Sequence, residues 1–361
     1  MILDQLVVPV VLAPLAGGPS TPQLAASVGN AGGLGFLAAG YLTAVTLAER
    51  LGQTRALTTA PIGVNVFVPG APATPAPVSA YAATLAGDAR DAGVELGTPR
   101  FEDDDWAAKI DLLAADPAPV VSFTFGCPDT GVIARLQDAG SEVWVTVTRP
   151  AEALEAAAAG ADVLVAQGAE AGGHRSSFRD DPAGDLTDGI GLLSLLQLLS
   201  ACADLPLVAA GGIITGAGIA AVLAAGAAAA QLGTAFLRCP EAGTAQAHRQ
   251  AVAGPAPTAM TRAFTGRIAR GIRNRFLDEH SAGAPAAYPE IHHLTAPLRQ
   301  AARAAGNPDL VNLWAGQTHE LSRERPAAEL VRELADQARA SASQAASRLA
   351  SGGSGEAAEL L

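Results

Sequence analysis

The sequence predicts an α/β protein, a (β/α)8 TIM barrel with a smaller, mostly helical second domain. Short apolar runs bounded by glycine or polar turns alternate with alanine-rich stretches, a pattern typical of parallel strands buried on both faces. Eight such runs precede residue 240, enough to close a barrel, although an open doubly wound sheet is a competing fold. The predicted strands are Val10–Leu15, Leu34–Ala38, Gly63–Phe67, Val120–Thr124, Val143–Val147, Val163–Ala166, Leu207–Ala210 and Ala229–Leu232.

Helix-boundary residues support this alternation. Pro150 is expected to begin a helix and Gly160 to end it, because proline suits the first turn and glycine the position after the last. Thr215 is a candidate N-cap for a helix that stops near Gly226. A terminal amphipathic helix is predicted over Pro326–Leu349, with apolar residues at helical spacing.

The chain is expected to divide into four parts. Residues 1–240 would form the barrel, with the proline-rich segment Pro69–Pro77 as a loop, because proline removes backbone donors. From 241 to 318 the strand pattern disappears, which predicts a smaller helical domain that covers the substrate. Residues 319–350 would carry the C-terminal helix back onto the barrel, and 351–361 would be a disordered tail.

Charge and hydropathy limit the partners. The chain has 23 basic and 35 acidic residues, a formal charge of -12, which disfavours binding to nucleic acid or to anionic lipid. Its longest apolar stretches, such as Ile219–Ala230, are too short and alanine-rich to span a membrane. The N-terminus shows no charged-then-apolar leader, so a cytoplasmic protein is expected.

Several cofactor classes are disfavoured by residue usage. Lys109 is the only lysine and lies in a charged helical stretch, so Schiff-base chemistry is not expected. Three separate cysteines form neither a disulfide framework nor a metal clamp, and the histidines lack metal-ligand spacing. His248 and His319 are expected on helix surfaces. The arginines between Arg262 and Arg275 are interpreted as ion-pair partners.

Glycine-rich turns after the last two predicted strands indicate a phosphate site. Gly211 and Gly212 follow the seventh strand, and the eighth ends in Gln231-Leu232-Gly233-Thr234. Backbone amides approach an anion closely at such turns, and the Thr234 hydroxyl adds a donor, so no basic side chain is required.

A second group of polar residues follows other strands. His174 comes after Gly172 and Gly173 beyond the sixth strand, where catalytic residues of barrels lie. An imidazole there can change charge near neutral pH, so His174 is the candidate catalytic residue. Asn65 and Gln167 are amides at strand ends, which suits the alternating donors and acceptors of a flat heterocycle.

Eight segments of the sequence, one of them rich in arginine, together resemble the nitronate monooxygenase family, formerly called 2-nitropropane dioxygenases. They are Ala13–Gly18, Gly63–Phe67, Ser122–Gly126, Gln167–His174, Ala209–Thr215, Gln231–Leu237, Arg262–Phe276 and Leu313–Gln317. The resemblance implies non-covalent FMN held by Asn65, Gln167, Gly172, Gly212 and Gln231 through Thr234. It also implies that His174 is the active-site histidine. The chain departs from the family at Arg175-Ser176-Ser177 and around His292, His293 and Ala296.

The resemblance implies oxidation of an alkyl nitronate by molecular oxygen to a carbonyl compound and nitrite, by a monomer or homodimer. His174 would either deprotonate a neutral nitroalkane or, when protonated, stabilise the bound anion, and these roles need opposite charge states. The alternative is an FMN-dependent NAD(P)H:quinone or enoyl reductase. A flavin-binding protein without turnover and a barrel enzyme acting on a sugar phosphate are the other two possibilities.

Overall fold

The computed structural model describes residues 1–181 and 189–351. Eight parallel strands form one sheet, and three short strands form a second, antiparallel one. The barrel strands are β1 (Val10–Leu12), β2 (Gly35–Ala38), β3 (Ile62–Phe67), β4 (Val120–Thr124), β5 (Glu142–Val147), β6 (Val163–Gln167), β8 (Leu207–Ala210) and β9 (Ala229–Leu232). The strands of the second sheet are β7 (Gly173–His174), β10 (Thr258–Thr261) and β11 (Ala269–Ile272).

The large sheet closes on itself. Its strand order is β1-β9-β8-β6-β5-β4-β3-β2. The Leu12 amide donates to the Leu34 carbonyl at 2.9 Å, and the Leu34 amide donates to the Val10 carbonyl at 3.0 Å. These bonds join β1 to the start of β2, so the predicted (β/α)8 barrel is confirmed and the open sheet is excluded.

Helices connect the strands where the boundary residues predicted them. Thr215 caps α9 by accepting from the Gly218 amide at 3.1 Å, and α7 begins at Pro150 and is followed by Gly160 at φ +98°. The helices of the barrel region are α1 (Pro22–Asn30), α2 (Ala44–Leu57), α3 (Pro75–Thr84), α4 (Ala86–Asp91), α5 (Trp106–Ala115), α6 (Thr130–Asp138), α7 (Pro150–Ala159), α8 (Leu192–Ser200) and α9 (Gly216–Ala224). Those after β9 are α10 (Gln246–Val252), α11 (Arg275–His280), α12 (Glu290–Ala304) and α13 (Ala327–Ser351).

The barrel interior is filled by side chains from alternate strand positions. Val163 and Val165 of β6 point inward, whereas Leu164 packs in the layer between the strands and the helices. The rings of Phe36 and Trp144 meet inside, with centroids 5.9 Å apart. Because these side chains fill the interior of the barrel, a ligand can reach it only at the carboxyl ends of the strands.

A second apolar core lies beside the barrel mouth. It joins α11 and α12 to α3 through residues such as Phe276, Leu298 and Tyr81. Two expectations are wrong here: that the segment after 241 lacks strands, and that all of Pro69–Pro77 is a loop. The segment after 241 contains β10 and β11, and α3 begins at Pro75, so only the first part of the proline-rich segment is a loop. Pro75 occupies the first helical turn, where its missing amide hydrogen costs no bond.

The terminal helix predicted over Pro326–Leu349 is confirmed as α13. Leu330, Val331 and Leu334 are buried in the core that joins the strands and helices, and α13 packs along α9 and α1. Ser351 is the last described residue, and the rest of the predicted disordered tail lies outside the described residues. Within 1–181 and 189–351, no helix has the length and hydropathy that crossing a membrane requires.

Candidate active site

The carboxyl ends of the barrel strands surround a cavity of about 650 Å³, within the range of roughly 300–1,000 Å³ typical of small-molecule sites. Nine of the ten residues proposed from the sequence line it: Asn65, Gln167, Gly172, His174, Gly211, Gly212, Gln231, Gly233 and Thr234. Leu232 does not. Its side chain is fully buried in the barrel-helix core, so only its backbone remains available to a ligand.

Glycine is required at two turns of the cavity wall. Gly212 has φ +66°, and the Thr318 hydroxyl donates to its carbonyl oxygen at 2.9 Å, which fixes the turn after β8. A Cβ at Gly172 would lie 2.4 Å from backbone atoms of Ala315 and Gly316. The segment after β6 therefore packs directly against the backbone of residues 315 and 316.

The end of β9 presents hydrogen-bond donors. A 3-10 helix spans Thr234–Phe236, and its first amides have no acceptor within the helix. Thr234 Oγ1 accepts from the Gly316 amide at 3.0 Å, so its hydroxyl proton stays free to donate. With the turn at Gly212, this corner has the donor chemistry that a phosphate group requires.

The two strand-end amides differ in their bonding. Asn65 Nδ2 donates to the Ser122 and Thr124 hydroxyls, both at 2.9 Å, which leaves Oδ1 as the acceptor on its other edge. Gln167 uses both ends on the backbone of the following segment. Its Nε2 donates to the His174 carbonyl at 3.0 Å, and its Oε1 accepts from the Ser176 amide at 2.9 Å. Gln167 therefore holds the histidine segment in place.

His174 is fixed on three sides. β7 pairs with β11, so that His174 lies opposite Ala269. The His174 Nε2 atom is 2.9 Å from Thr265 Oγ1, and within the described residues its Nδ1 has no hydrogen bond. Its ring packs against Trp314 at 5.5 Å and Tyr288 at 5.8 Å between centroids. The imidazole thus has one restrained orientation at the cavity wall.

Electrostatics keep this imidazole neutral. Desolvation, followed by the positive charges of Arg267 and Arg299, lowers the pKa of His174 from 6.5 to about 3. Arg267 lies over the Phe125 ring, 4.1 Å from its centroid, and donates to the Arg175 and Ser177 carbonyls. His174 is therefore a neutral imidazole at physiological pH.

One face of α12 forms another part of the wall, with five residues at helical spacing: His292, Ala296, Arg299, Gln300 and Arg303. Arg299 is buried and donates to the Thr295 hydroxyl at 3.0 Å and the His292 carbonyl at 2.8 Å. Neither Arg299 nor Arg267 forms an ion pair with any described carboxylate. Arg299 therefore brings positive charge to the cavity wall of an acidic protein, and Arg267 lies close enough to His174 to lower its pKa.

The arginines between 262 and 275 behave in two ways. Arg262 pairs with Asp180 at 2.6 Å and Arg275 with Asp88 at 2.8 Å, as the ion-pair interpretation expected. Among the described residues that interpretation is wrong for Arg267 and Arg270. Arg267 donates to backbone carbonyls beside His174, and Arg270 donates to the Ala169 carbonyl and the Thr258 hydroxyl.

The surface assignment of two histidines is also wrong. His248 lines the cavity, with its Nε2 2.9 Å from the Trp314 carbonyl oxygen. His319 is buried between the carbonyls of Val252 and Ala256. Both rings form hydrogen bonds to backbone carbonyls where a surface histidine would bond to water. The helical spacing of the sequence does not reveal such an arrangement.

The fold is a (β/α)8 barrel, and its cavity lies at the carboxyl ends of the strands, where enzymes of this class have their active sites. The family model described as nitronate monooxygenase matches residues 2–337. A nitronate monooxygenase of Pseudomonas aeruginosa is 43% identical over 345 residues, covering 92% of this chain and 96% of that protein. A probable nitronate monooxygenase of Staphylococcus aureus is 37% identical over 335 residues, covering 91% and 94%.

Solved structures agree with this. Nitroalkane oxidase from Streptomyces ansochromogenes superimposes with a TM-score of 0.93 at 53% identity, covering 96% of this chain and 99% of that one. FabK from Thermotoga maritima, with a TM-score of 0.74 and 24% identity, shares the fold. The chain belongs to the nitronate monooxygenase family. It is therefore an oxidoreductase that acts on a small molecule.

Proposed function

We propose that this protein uses non-covalent FMN to oxidise alkyl nitronates with molecular oxygen, and that it releases a carbonyl compound and nitrite. The observation that carries the proposal is a neutral histidine on a cavity wall that also carries the buried guanidinium group of Arg299, which forms no ion pair with a carboxylate in the described part of the chain. Such a site favours an anionic substrate and contains a base that can produce one. The names of the relatives support the same substrate class.

The cavity fits FMN in size and in donor chemistry. The phosphate would lie at Gly212 and Thr234, where backbone amides and a hydroxyl proton are available. When bound, FMN supplies the redox chemistry between nitronate and oxygen. The residues proposed to contact it are Asn65, Gln167, Gly172, Gly211, Gly212, Gln231, Leu232 (through its backbone), Gly233 and Thr234.

His174 would serve as the base. When Nε2 donates to Thr265, Nδ1 is the unprotonated nitrogen and can accept the α-proton of a neutral nitroalkane. The lowered pKa argues against stabilisation of the anion by a charged imidazole, whereas the base role rests on the position of His174 at the cavity wall and on its Nδ1, which is free among the described residues. Arg299, which lines the cavity, would stabilise the nitronate instead, and the charge of Arg267 behind the wall would add to the effect, at a site where the surrounding protein reduces screening by water.

The test compares nitroethane with preformed ethyl nitronate, measuring oxygen uptake and nitrite. His174→Asn should retain FMN and lower kcat/KM for nitroethane by roughly 10²–10⁴-fold, with a smaller loss for the nitronate, which needs no deprotonation. His280→Asn, outside the cavity, is the matched control and should match the wild type. Unchanged turnover of nitroethane by His174→Asn contradicts the base assignment. Failure of the wild type to release nitrite from either substrate contradicts the reaction.

A further inference from the structure

The only lysine of the chain is buried and forms an ion pair. Lys109 lies on α5 with no exposed surface, and its Nζ is 2.8 Å from Asp104 Oδ2. An ammonium group is unfavourable inside a protein without an opposite charge, so burial of Lys109 requires Asp104 to stay at this position. A second ion pair on α5, between Asp111 and Arg135, is exposed and makes no comparable demand.

Asp104 connects this pair to the turn after β2. Its Oδ1 accepts from the Tyr41 amide at 2.8 Å, and the neighbouring Asp105 Oδ2 accepts from the Ala44 amide at 2.7 Å. Two consecutive carboxylates therefore hold the connection between β2 and α2 at Tyr41, in its middle, and at Ala44, where α2 begins.

The backbone in this region is strained. Tyr41, Asp104 and Asp105 have φ values of +66°, +57° and +58°, in the left-handed region that disfavours residues with a Cβ. Such conformations persist only where surrounding contacts impose them, and they concentrate at functional sites. The contacts available here are the carboxylate bonds of Asp104 and Asp105, and Lys109 pairs with the first of these two carboxylates.

Tyr41 carries the constraint to the cavity wall. Its ring is parallel to that of His292, with centroids 4.3 Å apart, and meets Phe67 edge-on. Its hydroxyl oxygen lies 3.4 Å from that of Tyr288, whose ring packs against His174. A displacement of Tyr41 would therefore alter the wall beside His174.

We infer that the Lys109–Asp104 ion pair is a positioning device that holds Tyr41 against His292 and so sets the shape of the substrate side of the cavity. Lys109 itself does not line the cavity and takes no part in the chemistry. The kinetic part of this inference rests on the proposed nitronate oxidation, whereas its structural part does not.

The first experiment measures Lys109→Met by hydrogen exchange and by kinetics. Amide exchange in the peptide over residues 40–46 should accelerate roughly tenfold, because the Tyr41 amide donates to Asp104 and loses a fixed acceptor when Lys109 no longer holds that carboxylate. KM for ethyl nitronate should rise roughly tenfold with kcat within about twofold, since Tyr41 lies on the cavity wall and is assigned no part in proton transfer. Arg135→Met, which removes the exposed pair on α5, should leave both unchanged. Unchanged exchange and unchanged KM in folded Lys109→Met overturn the inference.

The second experiment is a double-mutant cycle with Tyr41→Ala. If Lys109 acts through Tyr41, Lys109→Met adds no further rise in KM when Tyr41 is absent. If the two substitutions instead raise KM by factors that multiply, the inference is overturned, because Lys109 then has a general structural role.

Should Lys109→Met fail to fold, the variant Asp104→Ala/Lys109→Met replaces it throughout, since it leaves no unpaired buried charge. Exchange is measured without substrate, so an inactive wild type refutes the proposed function while the exchange result still decides the structural claim.

Discussion

Acid should destabilise the folded protein through three desolvated histidines at the cavity. The pKa values of His174, His248 and His292 are lowered from 6.5 to about 3, about 4 and about 2, with desolvation as the largest cause of each shift. The unfolded chain therefore takes up protons below about pH 6.5 that the folded chain does not, so stability falls as pH falls through this window. From about pH 7.5 to about pH 5.5 the loss is roughly 1.4 kcal/mol per histidine, or about 4 kcal/mol for three.

Urea unfolding followed by circular dichroism at the two pH values measures this loss. His248→Gln is the informative variant, because His248 is assigned no part in the chemistry. The variant should lose about 1.4 kcal/mol less than the wild type between the two pH values, whatever its stability at neutral pH. An equal loss in the variant and the wild type would refute the reasoning, since His248 would then titrate alike in the folded and unfolded chains.

Three further outcomes are expected. Gly172→Ala should weaken FMN binding about tenfold and cost about 1–3 kcal/mol by urea unfolding, because its Cβ would meet backbone 2.4 Å away, whereas Gly87→Ala, with open space around it, should not. Leu334→Ala should cost about 2–5 kcal/mol, while Leu349→Ala, 82% exposed, should change stability by less than about 0.5 kcal/mol. Anaerobic stopped-flow mixing with NADH should leave the flavin oxidised, and rapid bleaching would favour the reductase alternative.

The barrel was predictable because its strands are buried on both faces. β4, β8 and β9 match the expected ranges, since each is an apolar run ended by a turn. β10 and β11 were missed for the opposite reason. Their sequences, Thr-Ala-Met-Thr and Ala-Arg-Gly-Ile, lack an apolar run, and their pairing depends on distant residues, including His174. Strands that are stabilised by contacts with distant residues have no characteristic pattern in their own sequence, so they cannot be predicted from it.

The residues of the candidate site also fall into two groups, those that the sequence predicted and those that it did not. Residues that follow strands were found because a barrel brings the carboxyl ends of all its strands together. Arg299 was not found, because its place in the cavity depends on how α12 packs over the barrel mouth. The regular spacing of polar residues from His292 to Arg303 was the only available signal, and it does not show which way that face points. Tyr41 likewise reaches the cavity through a left-handed turn held by Asp104.

The most direct test of the account is the absorbance spectrum of the freshly purified protein, followed by release and identification of its chromophore. The purified protein should be yellow, with the visible absorbance of oxidised flavin. Denaturation should release FMN in a one-to-one ratio to protein, so that nothing is covalently attached. A colourless protein that takes up no added FMN would contradict the assignment of the cavity formed by Gly212, Thr234 and His174.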